Sequence, residues 1–302
     1  MNVVLADGSR RTIDETSDLW WAMRGAGHNF AILTSVTVKV FDIEHPNWAL
    51  ERYIFTGDKV NAVHNMINEH IIGKTGVPVE VSSISVLASM PEIDEKVTNQ
   101  TPKACSLSII SCQPVLIQHI GQEGVTNVDK VYSDLFRNLK PVAVEQKSGR
   151  YIDIPSWIGD SETSPDCQNT GAAHTRFPIE LERFNSTAVD QLYKTFAAGL
   201  ANTPALNQSV IFIETYPQQG VRAVARDSSA CAFRDDSITI APTLQYMPDG
   251  PVLDKQAAEL GLKMRDILHK GSGRDDLHVY VNYAYGTETP ENLYGYEQWR
   301  QE

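Results

Sequence analysis

Several features that identify large classes of protein are missing from this sequence. It has no run of basic residues and a formal net charge of −12, so it lacks the positive field that nucleic acids and anionic membranes require. No apolar stretch reaches the roughly 18 residues of a membrane span, and the N-terminus MNVVLADGSRR does not have the pattern of a signal peptide. Internal repeats and low-complexity tracts are absent as well. We therefore expect no nucleic-acid partner and no membrane span.

Cysteine is also scarce. The four residues of this type are Cys105, Cys112, Cys167 and Cys231. Their spacing fits no zinc or redox motif, so we expect no metal site. The first two lie seven residues apart in a strand-like segment, and an odd separation places their side chains on opposite faces. We interpret the cysteines as buried free thiols.

What is present is the composition of a folded protein. The chain has 302 residues, of which 42% are hydrophobic and 21% charged, and this length is sufficient for two domains. The pair His45-Pro46 interrupts the pattern, because a residue before proline is disfavoured in the helical region, and we place a domain boundary there. The expected division is residues 1–45, residues 46–254 and residues 255–302.

The first 45 residues predict a hairpin, a short helix and a strand. The hairpin spans residues 2–13 around Asp7-Gly8, a pair favoured where both turn positions need positive φ. A helix follows from Asp18 to Arg24, with Ser17 as its N-cap and Gly25 at its end. Apolar and polar side chains then alternate over residues 30–41, which is typical of a strand.

Strands and helices are mixed in the rest of the chain. The expected strands are 48–57, 79–89, 104–113, 209–216, 237–246 and 277–286. The expected helices are 58–71, 122–139, 186–200, 253–270 and one that begins at Pro290. Residues 152–178 are rich in Pro, Ser, Thr and Gly and predict an extended loop over a face or a cavity. Antiparallel pairing of strands 209–216 and 237–246 is the simplest arrangement, and the expected fold class is α+β.

Two segments carry candidate chemistry. GAGHNF, residues 25–30, lacks the third glycine of a dinucleotide fingerprint and lies between a helix and a strand in the wrong order, so it is not a Rossmann motif. It is either a tight helix-to-strand turn or a loop that lets the backbone approach a ligand. HVYVNYAY, residues 278–285, would place Tyr280 and Asn282 on one polar strand face, which faces either water or a ligand cavity.

Three stretches in the right order resemble one enzyme family. NVVLADGSRRTIDETSDLWWAMRGAGHNFAILTSVTV is similar to the closing part of the FAD domain of the berberine bridge enzyme-like oxidases, which have the vanillyl-alcohol-oxidase, or PCMH-type, FAD fold. GVRAVARDSSACAFRDD resembles a segment of that family's substrate domain. YVNYAYG with NLYGYEQWRQE resembles its C-terminal berberine-like motif. The resemblance implies a remnant of the FAD domain, a substrate domain with a large antiparallel sheet covered by helices, and a C-terminal segment that returns to the FAD domain.

The resemblance also implies roles for individual residues. The backbone of residues 25–32 would pack against FAD, and the expected cofactor-binding residues are Gly25, Gly27, Asn29, Phe30, Ile32 and Asn282. Tyr280 matches the family's catalytic base, although a tyrosine with a pKa of about 10 needs its phenolate stabilised to act at neutral pH. Arg234 and Glu214 are the expected substrate-binding residues. His28 and Ala31 replace residues that are usually glycine.

The expected activity is that of an FAD-linked oxidase of a small organic or secondary-metabolite substrate, with O₂ as acceptor. We expect a truncated member, because the half of the FAD domain that carries the covalent flavin attachment residues has no counterpart in the sequence. Two alternatives remain open, a flavin-free descendant acting as an isomerase, cyclase or small-molecule binding protein, and a non-functional fragment.

Location and assembly are not determined by the sequence. Members of the family are often secreted, and Asn99, Asn185 and Asn207 begin Asn-x-Ser/Thr triplets, but such triplets also arise by chance. A monomer is one assembly that the sequence allows.

Overall fold

The structure is a computed structural model that describes residues 1–90, 113–164 and 167–297. Its strands are β1 (Asn2–Leu5), β2 (Arg10–Thr12), β3 (Ala31–Ser35), β4 (Asn47–Phe55), β5 (Val81–Ala88), β6 (Val115–Glu123), β7 (Ala143–Arg150), β8 (Ala173–Arg176), β9 (Ile179–Leu181), β10 (Val210–Thr215) and β11 (Ile238–Tyr246). Its α-helices are α1 (Trp20–Met23), α2 (Val60–Met66), α3 (Lys130–Arg137), α4 (Ile154–Ile158), α5 (Ser186–Asn202), α6 (Gln219–Arg222), α7 (Pro251–Ser272) and α8 (Pro290–Tyr294). The mixture of helices with antiparallel sheets confirms the predicted α+β class.

A small antiparallel sheet forms from the first 35 residues, in the order β2-β1-β3. Val3 pairs with Arg11 on one side and Leu33 on the other, and its side chain is buried. The predicted hairpin is present, but only Gly8 has positive φ, so the expected turn with two such residues is wrong. The predicted strand after residue 30 ends at Ser35.

A second, eight-stranded antiparallel sheet has the order β7-β4-β6-β5-β10-β11-β8, with β9 also paired to β11. Side chains alternate between its two faces, as β5 shows by the strict alternation of buried and half-buried residues. Helices α2, α5 and α7 pack against one face and enclose the main hydrophobic core, which includes Phe177, Phe196 and Ile240. The predicted pairing of residues 209–216 with 237–246 is confirmed by β10 and β11.

Several predicted boundaries are wrong. Residues 122–139 do not form one helix, because β6 continues to Glu123 and α3 begins only at Lys130. Strand β7 falls where no element was predicted, and residues 152–178 contain α4 and β8 as well as loop. Ser17 does not cap α1, since its Oγ instead accepts a hydrogen bond from the backbone N–H of Asp14.

The last predicted strand, residues 277–286, does not form. Residues 281–283 make a 3₁₀ turn, in which the N–H of Tyr283 donates to the carbonyl of Tyr280. Before the turn, the carbonyl of His278 accepts from Glu180 on β9, and the N–H of Val279 donates to Asn292 in α8. The backbone of the segment is therefore joined to β9 and to α8 by one hydrogen bond each, and it does not pair along a neighbouring strand.

The cysteine interpretation is also corrected in part. Cys167 and Cys231 are free but exposed rather than buried. Cys105, Cys112 and Asn99 lie outside the described residues. Among the described residues, no helix combines the length and the apolar character needed to cross a membrane.

Candidate functional site

One cavity, of about 870 Å³, lies where the small sheet meets the open face of the large sheet. Most of its wall comes from the glycine turn with β3, the loop of residues 230–233, the strands β9 to β11, and the segment of residues 279–283. Met1, the end of α1, the region of α6 and Leu293 of α8 complete it. A cavity of this volume is in the range of small-molecule sites, which is about 300–1,000 Å³. Residues from both ends of the sequence therefore meet at one place.

The glycine turn is shaped to contact another part of the chain. Gly25 has a φ of +139°, and a Cβ atom on it would lie 2.5 Å from the backbone nitrogen of Cys231. The neighbouring helix joins the same loop, because the indole of Trp21 donates to the carbonyl of Asp227 and its own carbonyl accepts from Ala230. The space left by the missing side chain is thus filled by protein backbone. Gly25 lines the cavity, but its packing against residue 231 accounts for the glycine.

The rest of the turn is bound to the last helix. The side-chain amide of Asn29 donates to the hydroxyl of Tyr294 at 2.7 Å, and Nε2 of His28 lies 3.0 Å from the same hydroxyl. Gly27 and His28 line the cavity. Tyr294 therefore joins the C-terminal segment to the glycine turn.

Strand β3 presents alternate residues to the cavity. Ala31 and Leu33 belong to its wall, whereas Ile32 lies between them on the opposite face and is 72% exposed. Phe30 is also exposed and outside the wall. Of the residues expected to bind the cofactor, Gly25, Gly27 and Asn282 line the cavity, and Asn29, Phe30 and Ile32 do not.

Tyr280 and Asn282 both line the cavity and are bound to each other. The side-chain amide of Asn282 donates to the hydroxyl of Tyr280 at 2.6 Å. Both residues belong to the segment around the 3₁₀ turn of residues 281–283. The hydrogen bond fixes the position of the Tyr280 hydroxyl relative to Asn282.

Glu214 lies on the cavity face of β10. Its carboxylate accepts a hydrogen bond from the hydroxyl of Tyr216 at 3.1 Å. Burial raises the pKa of Glu214, while hydrogen bonds from Tyr216 and Tyr283 act in the opposite direction. The guanidinium of Arg176 stacks over the Tyr283 ring at 5.4 Å.

Arg234, the other expected substrate residue, is outside the cavity wall. Its guanidinium is buried and donates to the carbonyl of Val221 at 3.1 Å and to Oγ of Ser229 at 2.7 Å. These contacts hold the loop that carries Ala230 and Cys231. The geometry therefore favours a structural role for Arg234.

The cavity also contains acidic residues that the sequence analysis did not select. Glu180 on β9 and Asp236 before β11 both line it. Asp236 is paired, because Arg274 donates to one carboxylate oxygen at 2.7 Å and Nδ1 of His278 lies 2.6 Å from the other. A signal for Glu180 was present in the sequence FPIEL, where one acid stands between two apolar residues of a strand.

Comparison with known proteins identifies relatives by sequence and by fold. No family model matches the chain. FAD-linked oxidoreductase chyH of Penicillium rubens is 42% identical over 300 residues, which cover 99% of this chain and 57% of that protein. FAD-linked oxidoreductase chry5 of Gibberella zeae is 40% identical over 301 residues, which cover 100% of this chain and 56% of that protein. The chain thus spans a little over half the length of these relatives.

Solved structures share the fold at low sequence identity. The xylooligosaccharide oxidase of Myceliophthora thermophila C1, in complex with xylobiose, matches with a TM-score of 0.70 and 17% identity, covering 97% of this chain and 59% of that one. Wild-type BBE-like 1 of Physcomitrella patens matches with a TM-score of 0.69 and 13% identity, covering 97% and 58%. The chain is therefore related in sequence to FAD-linked oxidoreductases over its whole length, and it has the fold of the berberine bridge enzyme-like oxidases.

Proposed function

We propose that this chain supplies the substrate side of an oxidase active site, in which a small organic molecule, such as a secondary metabolite, is oxidised with FAD as cofactor and O₂ as acceptor. The observation that carries the proposal is the convergence of the glycine turn, Glu214 and the Tyr280–Asn282 pair on one cavity. We also propose that residues 1–45 and 255–302 form its flavin side and residues 46–254 its substrate side.

The cavity fits part of a flavin. Its volume of about 870 Å³ leaves room for a planar ring system and a small substrate together. The backbone of Gly25 and Gly27, the side chains of Ala31 and Leu33, and the amide of Asn282 would hold the ring. Asn29 would act through Tyr294, to which it is bound. Bound FAD supplies a hydride acceptor, and this chemistry belongs to the cofactor.

Tyr280 is the proposed base. Tyr280 lines the cavity and its hydroxyl accepts the amide hydrogen of Asn282, so this hydrogen bond would hold the hydroxyl in place to take a proton from the substrate. Glu214 and Tyr216 lie on the large sheet, where they would orient the substrate.

Titration of the purified 302-residue chain with FAD tests the proposal, with binding followed by flavin fluorescence. We expect saturable binding that Leu33→Glu weakens by roughly tenfold or more, because a charge would be buried against an apolar ring. Val38→Glu is the control, since Val38 is exposed and outside the cavity wall. Equal binding by both variants contradicts this location for the flavin. A folded chain that takes up no FAD supports the flavin-free descendant instead.

A further inference from the structure

The register of the large sheet places three polar residues in a row across neighbouring strands. Glu214 on β10 pairs with Thr239 on β11, and Thr239 pairs with Glu180 on β9. All three line the cavity, while the residues beside them, such as Ile213 and Ile240, point into the core on the other face. Strands lie about 4.8 Å apart, so the two acids stand roughly 10 Å from each other with a hydroxyl between them.

Glu180 differs from the other acids of the cavity. Asp236 is neutralised by Arg274 and His278, and Glu214 accepts from Tyr216. None of the described residues donates a hydrogen bond to the carboxyl group of Glu180, although its backbone N–H and C=O are bound to His278 and Arg274. The side chain is held by its strand and turned toward the cavity with its hydrogen-bonding capacity unused.

The surroundings of this carboxyl group favour its protonated form. Burial, and then the nearby Asp236 carboxylate, raise the pKa of Glu180 to about 8, although Arg274 acts in the opposite direction. The other titratable or charged groups of the cavity wall are the α-amino group of Met1, Arg24, His28, Glu214, Tyr216, Cys231, Tyr280 and Tyr283. Arg24 donates to the carbonyls of Trp20 and Ser228, and these bonds hold its guanidinium at α1 and the loop of residue 228.

We propose that Glu180 selects the substrate: as a carboxylic acid it donates a hydrogen bond to an acceptor oxygen, such as a ketone or ester carbonyl, of an uncharged molecule. Thr239 and Glu214 continue the row along the same edge of that molecule. Neutral molecules are favoured over anions, because an anion bound at Glu180 would lie beside the Asp236 carboxylate, which stays ionised in its pair with Arg274. The inference rests on the proposed function only in taking this cavity as the substrate site.

Three probes of equal shape test the inference without flavin or turnover: meta-diacetylbenzene, which is neutral and only accepts hydrogen bonds, anionic meta-acetylbenzoate, and cationic meta-acetylbenzylamine. Their dissociation constants for the 302-residue chain are measured by ligand-observed NMR between pH 6 and pH 9. We expect the neutral probe to bind most tightly, and its affinity to fall as the pH rises past about 8, where Glu180 loses the donated proton. Tightest binding of the benzoate or of the amine would overturn the inference.

Substitutions of Glu180 test whether this residue causes the pH dependence of binding. Glu180→Gln keeps a donor that does not titrate, so binding of meta-diacetylbenzene should persist and lose its dependence on pH. Glu180→Leu should weaken binding by roughly three- to tenfold, which is the effect of one hydrogen bond. Glu182→Gln, an exposed neighbour on the same segment, is the control and should behave as the unchanged chain. A pH dependence that persists in Glu180→Gln refutes the inference. Failure of the FAD titration would leave these measurements intact, so the two proposals fail separately.

Discussion

Replacement of Gly25 by alanine probes the contact that closes the cavity. The φ of +139° is unfavourable for any residue with a side chain, and this costs about 1–2 kcal/mol. The added Cβ would also lie 2.5 Å from the nitrogen of Cys231 and 2.8 Å from the carbonyl carbon of Ala230, which are backbone atoms that cannot rotate away. Overpacking of this kind costs about 1–3 kcal/mol. We expect Gly25→Ala to lower the free energy of unfolding by about 2–5 kcal/mol.

Gly8 provides the matched control. It also has a positive φ, of +81°, but a Cβ on it would meet nothing within 4 Å. Gly8→Ala should therefore lower the free energy of unfolding only by the cost of a positive φ, about 1 kcal/mol. Urea denaturation, with the midpoint and the slope compared for both variants, measures the difference. Equal losses for the two variants would refute the view that the turn is packed tightly on residues 230 and 231.

Two further predictions concern the C-terminal segment. Tyr280→Phe should lower kcat by about 100-fold or more while FAD affinity is unchanged, because a general base contributes 10²–10⁴-fold, and retained turnover in a stopped-flow assay would exclude Tyr280 as the base. The side chain of Glu288 is 1% exposed and forms an ion pair with Arg265. Glu288→Gln should lower the free energy of unfolding by about 3 kcal/mol at pH 7. Burial alone would raise the pKa of Glu288, but the N–H of Gly286 and the Arg265 guanidinium outweigh it and lower the pKa from 4.5. A carboxylate with a lowered pKa stabilises the folded state above the pKa it has in the unfolded chain, and this stabilisation is lost as the pH falls. The difference in unfolding free energy between the unchanged chain and Glu288→Gln should therefore shrink below about pH 4.5. An equal difference at pH 7 and pH 3.5 would contradict the role of the carboxylate.

Local pattern was sufficient to predict much of the fold. The residue patterns identify the strands β5, β10 and β11. The helical spacing before Gly271 identifies most of α7, which continues to Ser272 and ends at Gly273 in the left-handed conformation. Strands β5 and β10 bury one face each, so buried and less buried residues alternate along them, whereas β11 is recognised by its apolar residues because nearly all of it is buried. The motifs around GAGHNF and YVNY were sufficient to identify the relationship to FAD-linked oxidoreductases.

Contacts between distant segments were not predictable. Residues 277–286 have the alternation of a strand but form a turn, because β9 and α8 each supply only one backbone partner. Gly25 resembles a ligand-approach glycine, although the residue it approaches is Cys231, 206 positions along the chain. Glu180 can be recognised as part of a polar row only when its register with Thr239 and Glu214 is known.

A crystal structure of the 302-residue chain grown with FAD tests the central claim most directly. The account predicts isoalloxazine density inside the cavity, between the backbone of residues 25–31 and the Tyr280–Asn282 pair. Flavin density on any other surface, or an empty cavity at a saturating FAD concentration, would contradict it.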